Sequence, residues 1–108
     1  MTVRDMTQKL GLDVFCLCDE DREVSGGYAG DLLSWVMGRA KAGDAWVTIM
    51  SNVNIVAVAM LADPACIILS EGVTPDVDAI KKAESMGVNI LGSQRDTFTL
   101  CAEISKLL

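Results

Sequence analysis

A chain of 108 residues, 51% hydrophobic and 22% charged, can bury about 65% of its unfolded surface as one domain and is too short for two; it is too apolar for disorder and too broken by charge for a membrane span. Its formal net charge of -6 sets it against nucleic-acid phosphates and anionic lipid, with no basic run in the sequence to reverse the sign. The absence of His removes the commonest general base and metal ligand.

The opening MTVRDMTQKLGLD carries charges where a secretory segment would be apolar, which points to a cytoplasmic chain. Thr2 is placed to cap a short helix with Val3, Met6 and Leu10 on one face, and Gly11 suits a left-handed stop. Leu12 to Cys18 reads as a buried strand, followed by the acidic run Asp19, Glu20, Asp21. Arg22 to Gly30 holds three glycines within five residues, a density that points to tight turns, and leaves room for a short strand. From Asp31, Leu32, Leu33, Val36, Met37 and Ala40 repeat at helical spacing, with Gly43 as the stop. Ala45 to Met50 is strand-like, and Asn52 or Asn54 is available to cap a helix over Ile55 to Ala62.

Pro64 breaks the chain before a buried strand, Ala65 to Leu69. Thr74 as N-cap and Pro75 at the first helical position open the next helix, with Val77, Ile80, Ala83 and Met86 inward and Gly87 at its end. Val88 to Leu91 is a short strand, and Asp96 begins a final helix marked by Phe98, Cys101, Ile104, Leu107 and Leu108. This alternation predicts an α/β fold: one three-layer domain over residues 1–108, with a mostly parallel sheet of about four or five strands flanked by helices. Ligands of such sheets bind beyond the carboxyl ends of the strands. The polar residues expected there are Asp19, Ser51, Asn52, Asn54, Ser70, Glu71, Ser93, Gln94 and Arg95.

Each chemical signal has a plainer counterpart. The cluster SGGYAG can present backbone N–H groups to a phosphate or can be a structural turn, and its spacing matches neither dinucleotide nor Walker loops. The acidic run offers oxygens to a divalent cation but lacks calcium-loop spacing, so a solvated loop is the expectation. Cys16 and Cys18, two apart on a strand, can share a metal, an iron–sulfur cluster or a redox bond; four reduced, buried thiols are the plainer reading. Arg95 is the best-placed cation for an anionic ligand, and an Arg pairing with a neighbouring carbonyl or carboxylate looks the same in sequence. Trp35 and Trp46 read as core or dimer packing. No Ser nucleophile with a base is legible.

The segments SGGYAGDLLSWVM, WVTIMSNVNIVAVAMLADPACIIL and PDVDAIKKAESMGVNIL resemble a stand-alone DRTGG domain. The resemblance spans residues 12–108, after an N-terminal helix over 1–11, and is strongest at Gly26, Gly27 and Asp31 with LLSWVM, then at Thr48, Asn54 and the AVA segment. Asp21 and Arg22 are followed by Glu23, Val24 and Ser25 before the two Gly, a departure from the family name. The family is similar in fold to the N-terminal domain of HPr kinase/phosphorylase, but the kinase phosphate loop GxxxxGK is absent here. What the resemblance implies is a regulatory module of the kind found beside CBS pairs in pyrophosphatases, where it helps form dimers, and near iron-only hydrogenase genes.

The reading is therefore a non-catalytic regulatory or interaction module, a homodimer that binds a small anionic ligand or nucleotide through Gly26, Gly27, Ser51, Asn52, Asn54, Ser93 and Arg95, with no cofactor. The alternatives are an accessory protein of a redox or iron–sulfur hydrogenase system using Cys16 and Cys18, and a phosphoryl- or acyl-transfer enzyme.

Overall fold

The computed structural model describes all 108 residues. Helix α1 (Val3–Leu10) begins at a capping box: the Thr2 hydroxyl accepts from the Asp5 N–H while the Asp5 carboxylate accepts from the Thr2 N–H, and Gly11 closes the helix at φ 60°. Strand β1 (Asp13–Cys16) follows, then β2 (Gly26–Ala29), α2 (Leu33–Arg39), β3 (Asp44–Thr48) and α3 (Asn54–Ala62). The chain finishes with β4 (Cys66–Leu69), α4 (Val77–Met86), β5 (Ile90–Gly92) and α5 (Thr97–Leu107). No helix is long and apolar enough to cross a membrane.

The five strands lie in the order β1-β5-β4-β3-β2. β2, β3, β4 and β5 are mutually parallel, and β1 runs antiparallel to β5. Alternation along the central strands sends Ala45, Val47, Cys66 and Ile68 to a core shared with α1 and α5, through Val3, Met6, Leu100 and Ile104. Trp46, Ile67 and Leu69 point the other way, onto Val36, Ile55, Val56, Val58, Ala59 and Ala83 of α2, α3 and α4. Both faces of β3 and β4 are buried, so residues 45–47 and the whole of β4 are continuous apolar runs, as a parallel sheet requires. The expected three-layer α/β architecture is what the chain adopts.

Several local expectations are corrected. The first strand is an antiparallel edge strand with Asp13 and Val14 exposed, rather than a buried one, because the chain passes from β1 to β2 without the helix that a parallel crossover needs. Asp19 consequently leaves β1 at the edge of the sheet opposite the other strand ends. Gly26 and Gly27 lie inside β2, the short strand for which Arg22 to Gly30 left room, rather than in a turn before a helix. α2 ends at Ala40 rather than at Gly43, and of its apolar positions only Val36 is buried. The N-cap of α4 is Asp76, two residues beyond Thr74, and Val77 and Met86 face outward while Ala79 and Ala83 pack. Phe98 is 85% exposed, Leu100 taking the buried place on α5. Trp46 is fully buried with its indole N–H on the Gly30 carbonyl at 3.0 Å, whereas Trp35 is half exposed. Of the four cysteines, only Cys16 and Cys66 are buried; Cys18 is exposed and Cys101 intermediate.

Candidate functional site

The carboxyl ends of β3, β4 and β5 bring together most of the polar residues expected there, and their hydrogen bonds show what the edge can offer a ligand. After β3, the Asp31 carboxylate accepts the Thr48 hydroxyl at 2.8 Å and the Ile49 N–H at 3.0 Å. Asn52 accepts the Asn54 N–H at 2.9 Å and so occupies a donor at the start of α3. After β4, Ser70 and Thr97 share a hydroxyl contact of 2.6 Å. Glu71, held at φ 60°, accepts the Thr97 N–H at 2.9 Å. Asp96 caps α5 through the Thr99 N–H at 2.7 Å, which holds the Asp96 carboxyl below the usual carboxylate range. Ser93 accepts both the backbone N–H and the guanidinium of Arg95, at 3.1 and 3.2 Å.

Donors that a bound anion would use are thus taken by the chain's own groups, among them the carboxylates of Asp31, Glu71 and Asp96. A carboxylate at a helix start competes with an external anion for the same N–H groups. None of the molecule's three cavities is lined by these loops. Ser51, Asn52, Asn54, Ser93 and Arg95 therefore share one edge, and Gly26 and Gly27 lie at the other.

At the amino end of β2 the arrangement differs. Ser25, Gly26, Gly27 and Tyr28 form one wall of a cleft of about 470 Å³, and Arg39, Lys41, Ala42 and Asp44 form the other. The close approach of β2 to β3 explains the glycine: a Cβ on Gly26 would stand 2.7 Å from Asp44 Oδ1. Asp44 is nearly buried, and its other oxygen accepts the Lys41 N–H at 2.8 Å, so the backbone already holds that carboxylate in place. Arg39 and Lys41 bring two cations to the mouth against this single carboxylate. The Arg39 guanidinium lies 3.7 Å from the centroid of the Trp35 ring, a cation–π contact that fixes its position. Sequence reading passed over Arg39 and Lys41. Their signal was the segment GRAKAG, two cations between the end of a helix and Gly43.

The other face of β2 carries an apolar groove of about 270 Å³, lined by Ala29, Val47, Cys101, Ile104 and Leu108 among others. β2 pairs only with β3, so its outer edge is free. A third cavity, of about 160 Å³, lies where Asp19, Arg22, Asp63 and Asn89 meet, spanned by the Arg22–Asp63 ion pair at 3.1 Å.

The acidic run forms no cation cage. Glu20 and Asp21 pair with Arg4, and Glu23 pairs with the N-terminal ammonium at 3.0 Å. Cys16 and Cys18 approach to 3.2 Å between sulfurs, and no cluster of three or more His, Cys, Asp or Glu side chains is placed to hold a metal. Burial pushes the Cys66 thiol up to about 12 and, with the Cys18 contact second, does the same for Cys16.

None of the curated proteins matches the sequence. Among solved structures, the chain is similar to the CBS and DRTGG domains of the regulatory region of Clostridium perfringens pyrophosphatase, complexed there with the activator diadenosine tetraphosphate. The TM-score is 0.73 at 14% identity, over 91% of this chain and 43% of that one, so this chain spans less than half of the matched region. The likeness extends to the fold, with its parallel sheet and flanking helices. In sequence, the DRTGG domain model matches residues 29–107, from the last residue of β2 to the end of α5. Asp21, Arg22, Gly26 and Gly27 thus lie ahead of the matched span. With all of α2 to α5 inside it, the chain belongs to the DRTGG domain family.

Proposed function

We propose that this protein is a non-catalytic regulatory module that binds a small phosphate-bearing ligand of the nucleotide class in the cleft between β2 and the end of α2. The observation that carries this reading is the pairing of Arg39 and Lys41 with the glycine strand Gly26–Gly27 in a chain whose formal net charge is -6. Two cations beside one backbone-held carboxylate make a local reversal of sign, the condition under which an acidic chain can hold a phosphate. Arg39 supplies a planar fork of donors and Lys41 a mobile ammonium, a combination suited to phosphate oxygens. The nucleotide activator in the related pyrophosphatase region is consistent with this ligand class.

The test is calorimetric titration of the full chain with adenosine mono-, di- and triphosphates, diadenosine tetraphosphate and inorganic phosphate. Binding of a nucleotide, weakened at least ~10-fold when Arg39→Gln and Lys41→Gln are combined, agrees with the loss of about 1.4 kcal/mol or more expected from two charge-assisted contacts. Binding indifferent to both substitutions, or none with any of these probes, rejects the cleft.

A second reading concerns self-association. The free edge of β2 beside the apolar groove at Ala29, Ile104 and Leu108 is suited to pairing with another copy, which extends the sheet and covers the groove. Light scattering of wild-type protein and of an Ala29→Lys variant tests it. The reading expects a dimer that the charge converts to monomer; a wild-type monomer at micromolar concentration rejects it.

A further inference from the structure

β1 ends at Cys16 after a slip in its register between Val14 and Cys16, and the chain bends at Cys18. In a straight strand, residues two apart stand ~6.6 Å apart along the axis with parallel side chains. Here the bend brings the two sulfurs to 3.2 Å. The bend is held by Asn89, which is 3% exposed: its Oδ1 accepts the Cys18 and Asp19 N–H groups, each at 2.9 Å, while its Nδ2 donates to the Asp19 carbonyl at 2.8 Å and the Ala65 carbonyl at 3.0 Å. The pair has an inner and an outer member, Cys16 being buried and Cys18 exposed. No metal-binding cluster lies at this position, and the pair's further contact is from Cys18 Sγ to the Ala83 carbonyl at 3.9 Å.

We propose that Cys16 and Cys18 form a reversible dithiol–disulfide couple, oxidised by a disulfide-bearing molecule, with Cys18 as the entry thiol and Cys16 as the resolving thiol. Cys18 gives its proton to solvent, and the thiolate attacks one sulfur of the oxidant; that S–S bond breaks and one half leaves as a thiolate. Cys16 then loses its proton and attacks Cys18 Sγ, the mixed disulfide breaks, and the second half leaves as a thiolate. The two leaving thiolates take up the two protons released. One protein disulfide is formed and the oxidant is reduced to two thiols, a balanced two-electron exchange.

The geometry favours this order. Cys18 is the sulfur that an oxidant can reach, and Cys16 lies behind it, so the resolving attack comes from inside while the leaving group departs into solvent. Bond formation needs the sulfurs to close from 3.2 Å to about 2.05 Å, which rotation of the exposed side chain supplies. This couple stands apart from the cleft at β2, so its test is independent of the reading given above.

The experiment equilibrates the full chain, without oxygen, in glutathione buffers of stepped oxidised-to-reduced ratio, followed by acid quench, alkylation, intact mass and peptide mapping. The expected product carries two fewer alkyl groups than the fully reduced chain and, without alkylation, is lighter by about 2 Da, the two thiol hydrogens; it maps to a Cys16–Cys18 link and returns to dithiol with excess reduced glutathione. Cys18→Ser abolishes it, the combined Cys66→Ala and Cys101→Ala variant retains it, and Cys16→Ala stops at a glutathione adduct on Cys18. If Cys16→Ala does not fold, the wild type and Cys18→Ser still decide. A wild type that keeps a glutathione adduct on Cys18, links two chains through Cys18, or remains a dithiol across the whole range overturns the proposal.

Discussion

Replacing Asn89 by Ala tests how the β1 edge is held. The side chain makes four hydrogen bonds, all to backbone groups: two N–H donors at Cys18 and Asp19, and two carbonyls at Asp19 and Ala65. Each contributes about 1 kcal/mol net, with more lost where a backbone group is left buried without a partner, so the substitution is expected to cost about 3–5 kcal/mol. A domain of this size has about 5–15 kcal/mol in total. At ~4 °C or more per kcal/mol the melting temperature falls by about 12 °C or more. Urea and thermal denaturation give the magnitude, and amide hydrogen exchange gives the place, with protection lost first at Cys18 and Asp19. A loss below about 1 kcal/mol, or unchanged exchange at those two amides, refutes the view of Asn89 as the clamp.

The remaining expectations concern glycine, thiol and cap. Gly26→Ala puts a Cβ 2.7 Å from Asp44 Oδ1; chemical denaturation is expected to show a loss of about 1–3 kcal/mol as β2 or Asp44 gives way, and unchanged stability would contradict the close approach. Cys66, pushed up to about 12 by burial from 9.0, stays neutral in the folded chain while its unfolded counterpart ionises, so its contribution is whole below pH 9 and is lost as pH rises toward 12. Cys66→Ala should make the alkaline fall in stability shallower by up to ~1.4 kcal/mol per pH unit, read from denaturation midpoints at stepped pH. Asp96, lowered from 3.8 by the Thr99 N–H and then the Thr99 hydroxyl, stabilises the fold above its ordinary pKa and ceases to as pH falls through the lowered one. Asp96→Ala is accordingly expected to melt below wild type at neutral pH, with the gap closing in strong acid; a gap independent of pH counts against the cap.

Much of the fold was legible because local and global signals agree in it. Thr2 and Gly11 announce both ends of α1, and the apolar runs within β3 and β4 announce strands buried on both faces. Where reading failed, a tertiary contact had overridden a local preference. Thr74-Pro75 has the chemistry of a helix start, yet Pro75 is buried and the Asp76 N–H is held by the Ser51 carbonyl at 2.9 Å, which delays α4 to Val77. The glycines of β2 read as a turn because sequence carries no sign of Asp44 pressing against Gly26. The direction of β1 depends on its pairing with β5, although the missing helix between β1 and β2 was a usable hint. The candidate site was the least legible part, since its two cations come from the end of α2 and the loop beyond it, and its other wall from a strand eleven or more residues earlier.

The proposed ligand cleft lies at the amino end of β2 and not along the carboxyl edge of the sheet. Titration of isotopically labelled protein with adenosine triphosphate, followed by amide chemical shifts, separates the two directly. Saturable shifts are expected to concentrate at Gly26, Gly27 and Lys41, with the amides of Ser51, Asn52, Ser93 and Arg95 unmoved. Shifts centred on Ser51, Asn52, Ser93 and Arg95 contradict it, and so does a spectrum that does not respond.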